Sequence, residues 1–378
     1  MTDVFIISDN IFSPLGITSV ENFTQLKRSV SGVKKHDDDS MSELPFYAAL
    51  FDKQDSHLSG DSQSKYTKFE KLLIASIADA LQNSGIFPGD KKTGLIISST
   101  KGNISLLESE TYNKELSKRI SLSESAKLVA GRFHFANPPV VISNACISGV
   151  LAILTGLRMI RSGQYENAVI AGADVISKFV LSGFQSFQAI SEGPCKPFDA
   201  DRTGINLGEG AGTIILSSNK KYSKGIKISG GSVSNDANHI SGPSRTGEQL
   251  NYAITKALKD ADLSPAGINF ISAHGTATIY NDEMEARAIT LANMQSAPVN
   301  SLKGYYGHTL GAAGLIESIV SVHSMQEDLV LPSLGFQHMG VTQPVNICTS
   351  LYNTQIQNCL KTASGFGGCN AAVIFSKQ

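Results

Sequence analysis

The 378-residue sequence predicts an α/β protein built from two copies of one structural unit. Three observations carry that expectation. Short β-branched runs alternate with longer stretches of small and aliphatic residues, as in chains where strands and helices take turns. Three stretches recur in the same order at offsets of roughly 155 to 175 residues, which marks an internal repeat. No proline-rich or low-complexity linker divides the chain, so the copies are expected to form one rigid body with two related sheets packed around shared helices.

Among the strands, TGLIISST (93–100), PVVISN (139–144), AVIAGA (168–173) and INFISA (268–273) are nearly continuous apolar runs. Runs of that kind belong to strands buried on both faces of a parallel sheet. Between residues 68 and 82, Phe69, Leu73, Ile77 and Leu81 fall four apart and describe one face of a helix, with Gly85 just beyond as its stop. The repeat then relates TGLIISST to NFISAHGT near 272, and PPVVISNACISGVLAIL around Cys146 to APVNSLKGYYGHTLGAAGLIESI around His308. Its third part relates GEGAGTIILS from Gly208 to GFGGCNAAVIFS from Gly365. The halves are expected at 1–218 and 219–378, the first carrying a polar, charged helical insertion at about 101–135.

Composition narrows the function. A hydrophobic fraction of 41% and a charged fraction of 17% are ordinary for a globular enzyme. The formal net charge of -1 argues against a nucleic-acid partner, which needs many cations to displace counterions from phosphate. The first residues, MTDVFIISDN, lack a basic segment leading into a long apolar run, and no apolar stretch reaches the roughly 20 residues of a membrane span. A cytoplasmic location and no membrane partner are therefore expected. The five cysteines are odd in number and include no CxxC pair, which argues against a disulfide framework and against a structural metal site.

One cysteine stands apart. Cys146 directly follows the strand VVISN and begins the small-residue stretch CISGVLAILTGLRMIRSG, expected as a buried helix ending near Gly163. A thiol at a helix start meets unpaired N–H groups and the positive end of the helix dipole, which would lower its pKa toward the nucleophilic thiolate. His274, in AHGTAT, follows an apolar strand, at the carboxyl end where parallel sheets bind ligands. His308, in KGYYGHTLGAAG, opens another small-residue helix and is paired with Cys146 by the repeat. The glycines of GFGGCN (365–370) permit a close backbone approach to a ligand.

Taken in order, NACISG, PFDADRTGINLGEGAG, HGTAT with NDEMEA, KGYYGHTLGAAG and GFGGCN resemble the β-ketoacyl-acyl carrier protein synthases of the thiolase-like superfamily, in particular the elongating type with a Cys-His-His triad. The resemblance covers nearly the whole chain. It implies a duplicated thiolase-like fold, layered α-β-α-β-α with two mixed five-stranded sheets, and decarboxylative Claisen condensation of malonyl carrier protein with an acyl group held on Cys146. Fatty acid, polyketide and aryl polyene biosynthesis all use such enzymes.

By the same resemblance, His274 and His308 stabilise the enolate, and Lys303 with Glu317 supports them. The backbone N–H groups of Cys146 and Phe366 form an oxyanion hole, Phe366 also gating the pocket, and Thr276 and Thr278 hold the phosphopantetheine arm. No separate cofactor is implied, because substrates ride on that arm. The carrier is an acidic protein, for which Lys65 and Lys68, with Lys71, are candidate docking cations. A homodimer is expected, with a heterodimer as the variant.

Three other functions share the fold. A biosynthetic thiolase needs a second catalytic cysteine, for which Cys369 is the candidate; a non-catalytic chain-length partner subunit generally lacks the nucleophile; an initiating synthase resembles a Cys-His-Asn arrangement, whereas His308 stands at the asparagine position. The chain also departs from the family pattern at Ile147, Thr203, Ile205, Ala277, Asn281 and Glu283, which points to a specialised synthase.

Overall fold

Apolar alternation sets the strands. In the computed structural model, which describes residues 2–52, 65–238, 240 and 242–378, ten strands form the body of the molecule. They are β1 (Phe5–Phe12), β2 (Thr93–Ser98), β3 (Val140–Ile142), β4 (Asn167–Asp174) and β5 (Gly210–Ser217), then β6 (Ile226–Asn235), β7 (Phe270–Ser272), β8 (Pro298–Asn300), β9 (Asn358–Gly365) and β10 (Cys369–Lys377). The first five lie in the order β1-β5-β4-β2-β3 and the second five in the order β6-β10-β9-β7-β8, the same order within each set. Orientation repeats too. In each set the first two pairings are antiparallel and the last two parallel. The sets are not separate: Phe5 of β1 pairs with Lys227 of β6, and the Ile228 N–H donates to the Val4 carbonyl at 3.0 Å. With a two-residue strand, Asn346–Ile347, beyond β8, they form one continuous eleven-stranded sheet.

Helices are α1 (Ser19–Lys27), α2 (Lys68–Gln82), α3 (Lys114–Arg119), α4 (Leu122–Arg132), α5 (Ser148–Arg161), α6 (Lys178–Ser186), α7 (Glu248–Ala261), α8 (Ile279–Leu291), α9 (Lys303–Tyr306) and α10 (Ala313–Glu327). Thr67 caps α2, its hydroxyl accepting from the Glu70 N–H while the Glu70 carboxylate accepts from the Thr67 N–H. β4 shows how the layers are filled. Ala168 and Ile170 pack toward α5 and α10, whereas Val169, Ala171 and Ala173 pack toward α2 on the other face. In the second set Cys359 and Ala363 of β9 face the central helices while Leu360 faces α7 and α8. The two halves of the continuous sheet thus enclose the central helices and carry further helices outside, the five-layer thiolase-like arrangement.

The central pair, α5 and α10, has small residues on the facing side for a steric reason. A Cβ on Gly149 would stand 2.5 Å from the Leu315 backbone nitrogen, and one on Gly314 would stand 2.6 Å from a Val150 methyl. Backbones this close bring the two helix starts side by side, and so bring together the residues just before them. The strand runs end earlier than their apolar stretches, at Ser98, Ile142 and Ser272, because the chain leaves the sheet there to build the site. β3, expected as a buried strand, is half-buried, since it pairs only with β2 and forms the sheet edge. No helix among the described residues is long and apolar enough to cross a membrane.

Candidate active site

Cys146 lies in the turn between β3 and α5, two residues before the helix, with Ala145 before it held at φ +43°. A non-glycine residue in that region is strained and marks a tight strand-to-helix turn. His274 follows β7, and its backbone is clamped from two sides. Its N–H donates to Glu285 Oε1 at 2.8 Å, the Gly275 N–H donates to Glu285 Oε2 at 2.7 Å, and its carbonyl accepts from Lys303 Nζ at 2.9 Å. His308 is clamped by PFDADRTGINLGEGAG, donating its N–H to the Asn206 carbonyl at 2.7 Å and accepting from the Gly208 N–H at 3.1 Å. Asp174 ties the entry of α10 to β4 by accepting from the Gly311 N–H at 2.7 Å and from Ser99 Oγ at 2.7 Å.

These clamps converge. The Cys146 sulfur and one ring nitrogen from each of His274 and His308 lie within 4.8 Å of one another. The two rings meet edge to face with centroids 5.2 Å apart. A thiol from the first half of the chain and two imidazoles from the second thus share one site, the convergence the sequence leads one to expect.

Burial controls the charge states. It pushes the Cys146 thiol up to about 12, nearby Cys369 adding to the rise and Lys303 and Lys101 pulling against it. Cys146 is partly buried and stands two residues before α5, so burial opposes the thiolate that the helix start favours. Burial, then Lys303, also holds both imidazoles well below their ordinary 6.5. Burial thus favours the uncharged form of the thiol and of both imidazoles.

That state has a measurable cost. As pH falls below about 6.5 the unfolded chain takes up protons on these histidines while the folded chain does not, so stability falls, by about 1.4 kcal/mol per pH unit for each imidazole. Asp282, raised to about 6 by burial, works in the opposite sense and offsets about one imidazole's share below that pH. Urea unfolding between pH 7.5 and 5.5 is expected to show a loss beginning near 6.5, and His308→Gln is expected to shrink it.

Behind the imidazoles lies a buried charge cluster. Lys303 and Glu317, the two residues the resemblance places in support of the histidines, form an ion pair, both nearly inaccessible. Sequence reasoning missed Lys361, whose Nζ is 2.7 Å from Glu317 Oε2, and it gave no role to Glu285. A signal was present for the first: a lysine inside the apolar strand NCLKTASG is an unusual buried charge. A divalent metal on the sulfur and two imidazoles would face two lysine ammonium groups, so the donor set fits a metal poorly.

The three groups open into a pocket of about 80 Å³ also lined by Thr276, Thr278, Ala189, Ile205 and Phe366. This is smaller than the roughly 300–1,000 Å³ of typical ligand clefts. The Phe366 ring lines it and packs against Phe184, at 5.9 Å, and Phe187, at 5.6 Å. A Cβ on Gly365 would stand 2.9 Å from the Cys146 backbone nitrogen, so glycine there is what lets the Phe366 peptide approach the nucleophile. Thr276 and Thr278 join hydroxyls at 2.9 Å beside the same pocket.

One expectation, the docking role of Lys68, changes, and the thiolase alternative loses its second thiol. Lys68 is an ion-pair partner of buried Glu209 at 2.6 Å, because the Glu209 carboxylate needs a counter-ion, and so is not a free docking cation. Lys65 is exposed, its ammonium 5.1 Å from the Tyr66 ring centre. Cys369 is buried and does not line the pocket; its sulfur sits 3.3 Å from the Phe366 carbonyl, and burial raises it to about 11, which removes the second catalytic thiol a thiolase needs.

Comparison with known proteins agrees with this geometry. Residues 1–221 match the family model described as β-ketoacyl synthase, N-terminal domain, and residues 226–337 match the corresponding C-terminal domain. The chain is 28% identical to 3-oxoacyl-[acyl-carrier-protein] synthase 2 of Vibrio cholerae over 412 aligned positions, covering 99% of each. It is 28% identical to the protein of the same name from Rhizobium meliloti, covering 100% of this chain and 99% of that one. Among solved structures, a β-ketoacyl synthase from Burkholderia phymatum STM815 superposes with a TM-score of 0.89 at 24% identity, covering all of both chains. A chain from the complex of a ketosynthase with its chain length factor from Xenorhabdus doucetiae gives 0.90 at 23% identity, covering 100% of this chain and 98% of that one. Structural likeness at this identity establishes the fold.

Proposed function

The chain belongs to the β-ketoacyl synthase family, and on that premise we propose that it is a 3-oxoacyl-acyl carrier protein synthase with Cys146 as nucleophile. The observation that carries the reading is the convergence of one thiol and two imidazoles within 4.8 Å at one pocket.

In the first step the Cys146 sulfur attacks the carbonyl of an acyl carrier thioester. The carbon–sulfur bond to the carrier breaks, and the thiol proton leaves through a neighbouring imidazole to the departing carrier thiolate. A neutral thiol can act only if a base takes its proton, and the imidazoles are the acceptors in reach. In the second step malonyl carrier enters, its carbon–carboxylate bond breaks to release carbon dioxide, and the thioester oxygen gains negative charge. N–H groups of His274 and His308 stabilise that oxygen in a desolvated site, where such donors act most strongly. The enolate carbon then bonds the acyl carbon and expels the Cys146 sulfur, while the N–H groups of Cys146 and Phe366 hold the new oxyanion.

Lys303 and Glu317 act through the imidazoles rather than on substrate. Phe366 moves to admit the arm, and Thr276 and Thr278 bind it. Acyl groups arrive on the phosphopantetheine of an acidic carrier, met at Lys65, and no separate cofactor takes part. We read the chain as two duplicated halves, 1–218 and 219–378, which the shared strand order supports. The working unit is a dimer with itself or a related chain, in the cytosol. The presence of Cys146 with both imidazoles disfavours a silent chain-length subunit. Supplied with acyl and malonyl carrier, the protein is expected to form one 3-oxoacyl carrier per carbon dioxide released; release without condensation would contradict the assignment.

A further inference from the structure

Lys361 is a full charge in the middle of β9, with 0% of its surface exposed. Burying an ammonium costs several kcal/mol unless it is paired and hydrogen-bonded. Its Nζ donates to the Ser272 carbonyl at 3.1 Å and the Ala273 carbonyl at 3.0 Å, and contacts Glu317 Oε2 at 2.7 Å. Lys303 holds the next carbonyl, that of His274. Three consecutive carbonyls, where β7 leaves the sheet, are therefore fixed by two lysines.

Electrostatics point the same way. Two buried carboxylates, Glu317 on α10 and Glu285 on α8, face this point, and Lys303 alone would leave them in excess. Glu285 also accepts from Thr362 Oγ1 at 2.6 Å, one residue along β9, so the strand of Lys361 is tied to both acids.

Resting on the synthase reading, we propose that Lys361 is a positioning residue for the malonyl half-reaction, fixing the Ser272–Ala273 segment so that His274 points at the sulfur and balancing the two acids behind it. Acyl loading of Cys146 does not depend on this hold to the same degree, because the thiol proton can leave through His308, which Asn206 and Gly208 clamp. The groups facing the imidazoles are Lys303, Lys361 and Cys146, with Glu285 and Asp282 from α8, Glu317 from α10 and Asp174 from β4 behind them. Removing one of the two cations is therefore expected to raise the His274 titration.

The test compares wild type with Lys361→Met in two half-reactions: acyl transfer from an acyl thioester to the protein, and carbon dioxide release from malonyl carrier. Loading is expected to stay within about threefold, while kcat for release falls by about 10²-fold, the cost of a displaced catalytic group, with KM little changed. Imidazole titration by NMR is expected to move upward in the variant. If Lys361→Met does not fold, Lys361→Gln, which keeps two N–H donors but loses the charge, is expected to show a smaller split in the same sense. Equal loss of both half-reactions, no loss of either, or failure of both variants to fold would overturn the proposal. Wild type that neither loads nor releases carbon dioxide would instead contradict the synthase reading, and the NMR comparison would still decide the role of Lys361.

Discussion

Replacing Cys146 by alanine is expected to eliminate acyl loading and to lower condensation by at least about 10⁴-fold, the scale of losing a covalent nucleophile. Release of carbon dioxide from malonyl carrier should survive, because the groups assigned to it, His274 and His308, are clamped by Glu285, Lys303, Asn206 and Gly208 rather than by the sulfur. The separation follows from the geometry. Cys146 belongs to the β3–α5 turn, while both imidazoles belong to the second half of the chain. Radiolabelled malonyl carrier and an acyl-loading gel, run on the same variant, measure the two steps independently.

His274→Ala and His308→Ala are expected to reverse that pattern. Each removes one donor to the developing oxyanion, worth about 3 to 4 kcal/mol, so release of carbon dioxide should fall by about 10²- to 10³-fold in each variant. The double variant should lose less than the product, since the rings stand edge to face at 5.2 Å and serve the same oxygen. The variant in which acyl loading also slows identifies the imidazole that takes the thiol proton. Stopped assays of both half-reactions across the three variants check this.

Much of this site was legible as text. The helix at 68–82 was readable because its apolar residues fall on one face, and the structure places it at the same bounds. The repeat was readable because both halves build one strand order, so like residues recur where like elements end. His308 and Cys146 could be paired because the repeat sets both just before matching small-residue helices, whose close approach the structure shows.

What was illegible depends on distance in space. Nothing in sequence shows how far burial opposes the thiolate at Cys146, because the groups around it come from other elements. Lys68 sits at a helix start like a docking cation, and only the fold brings the Glu209 carboxylate to it. Lys361 lies 58 positions from Lys303 (361 − 303) on a different element, and their common partner Glu317 becomes visible only once β9, α9 and α10 are packed. The short extent of β3 follows likewise from its place at the sheet edge.

At the centre stands the assignment of Cys146 as the residue that carries the growing chain between two imidazoles. Peptide mass spectrometry after incubation with acyl carrier alone addresses it without mutation. The acyl mass is expected on the peptide containing Cys146, and addition of malonyl carrier should discharge it. An acyl group on Cys369 or any other residue, or one on Cys146 that malonyl carrier leaves in place, would contradict it.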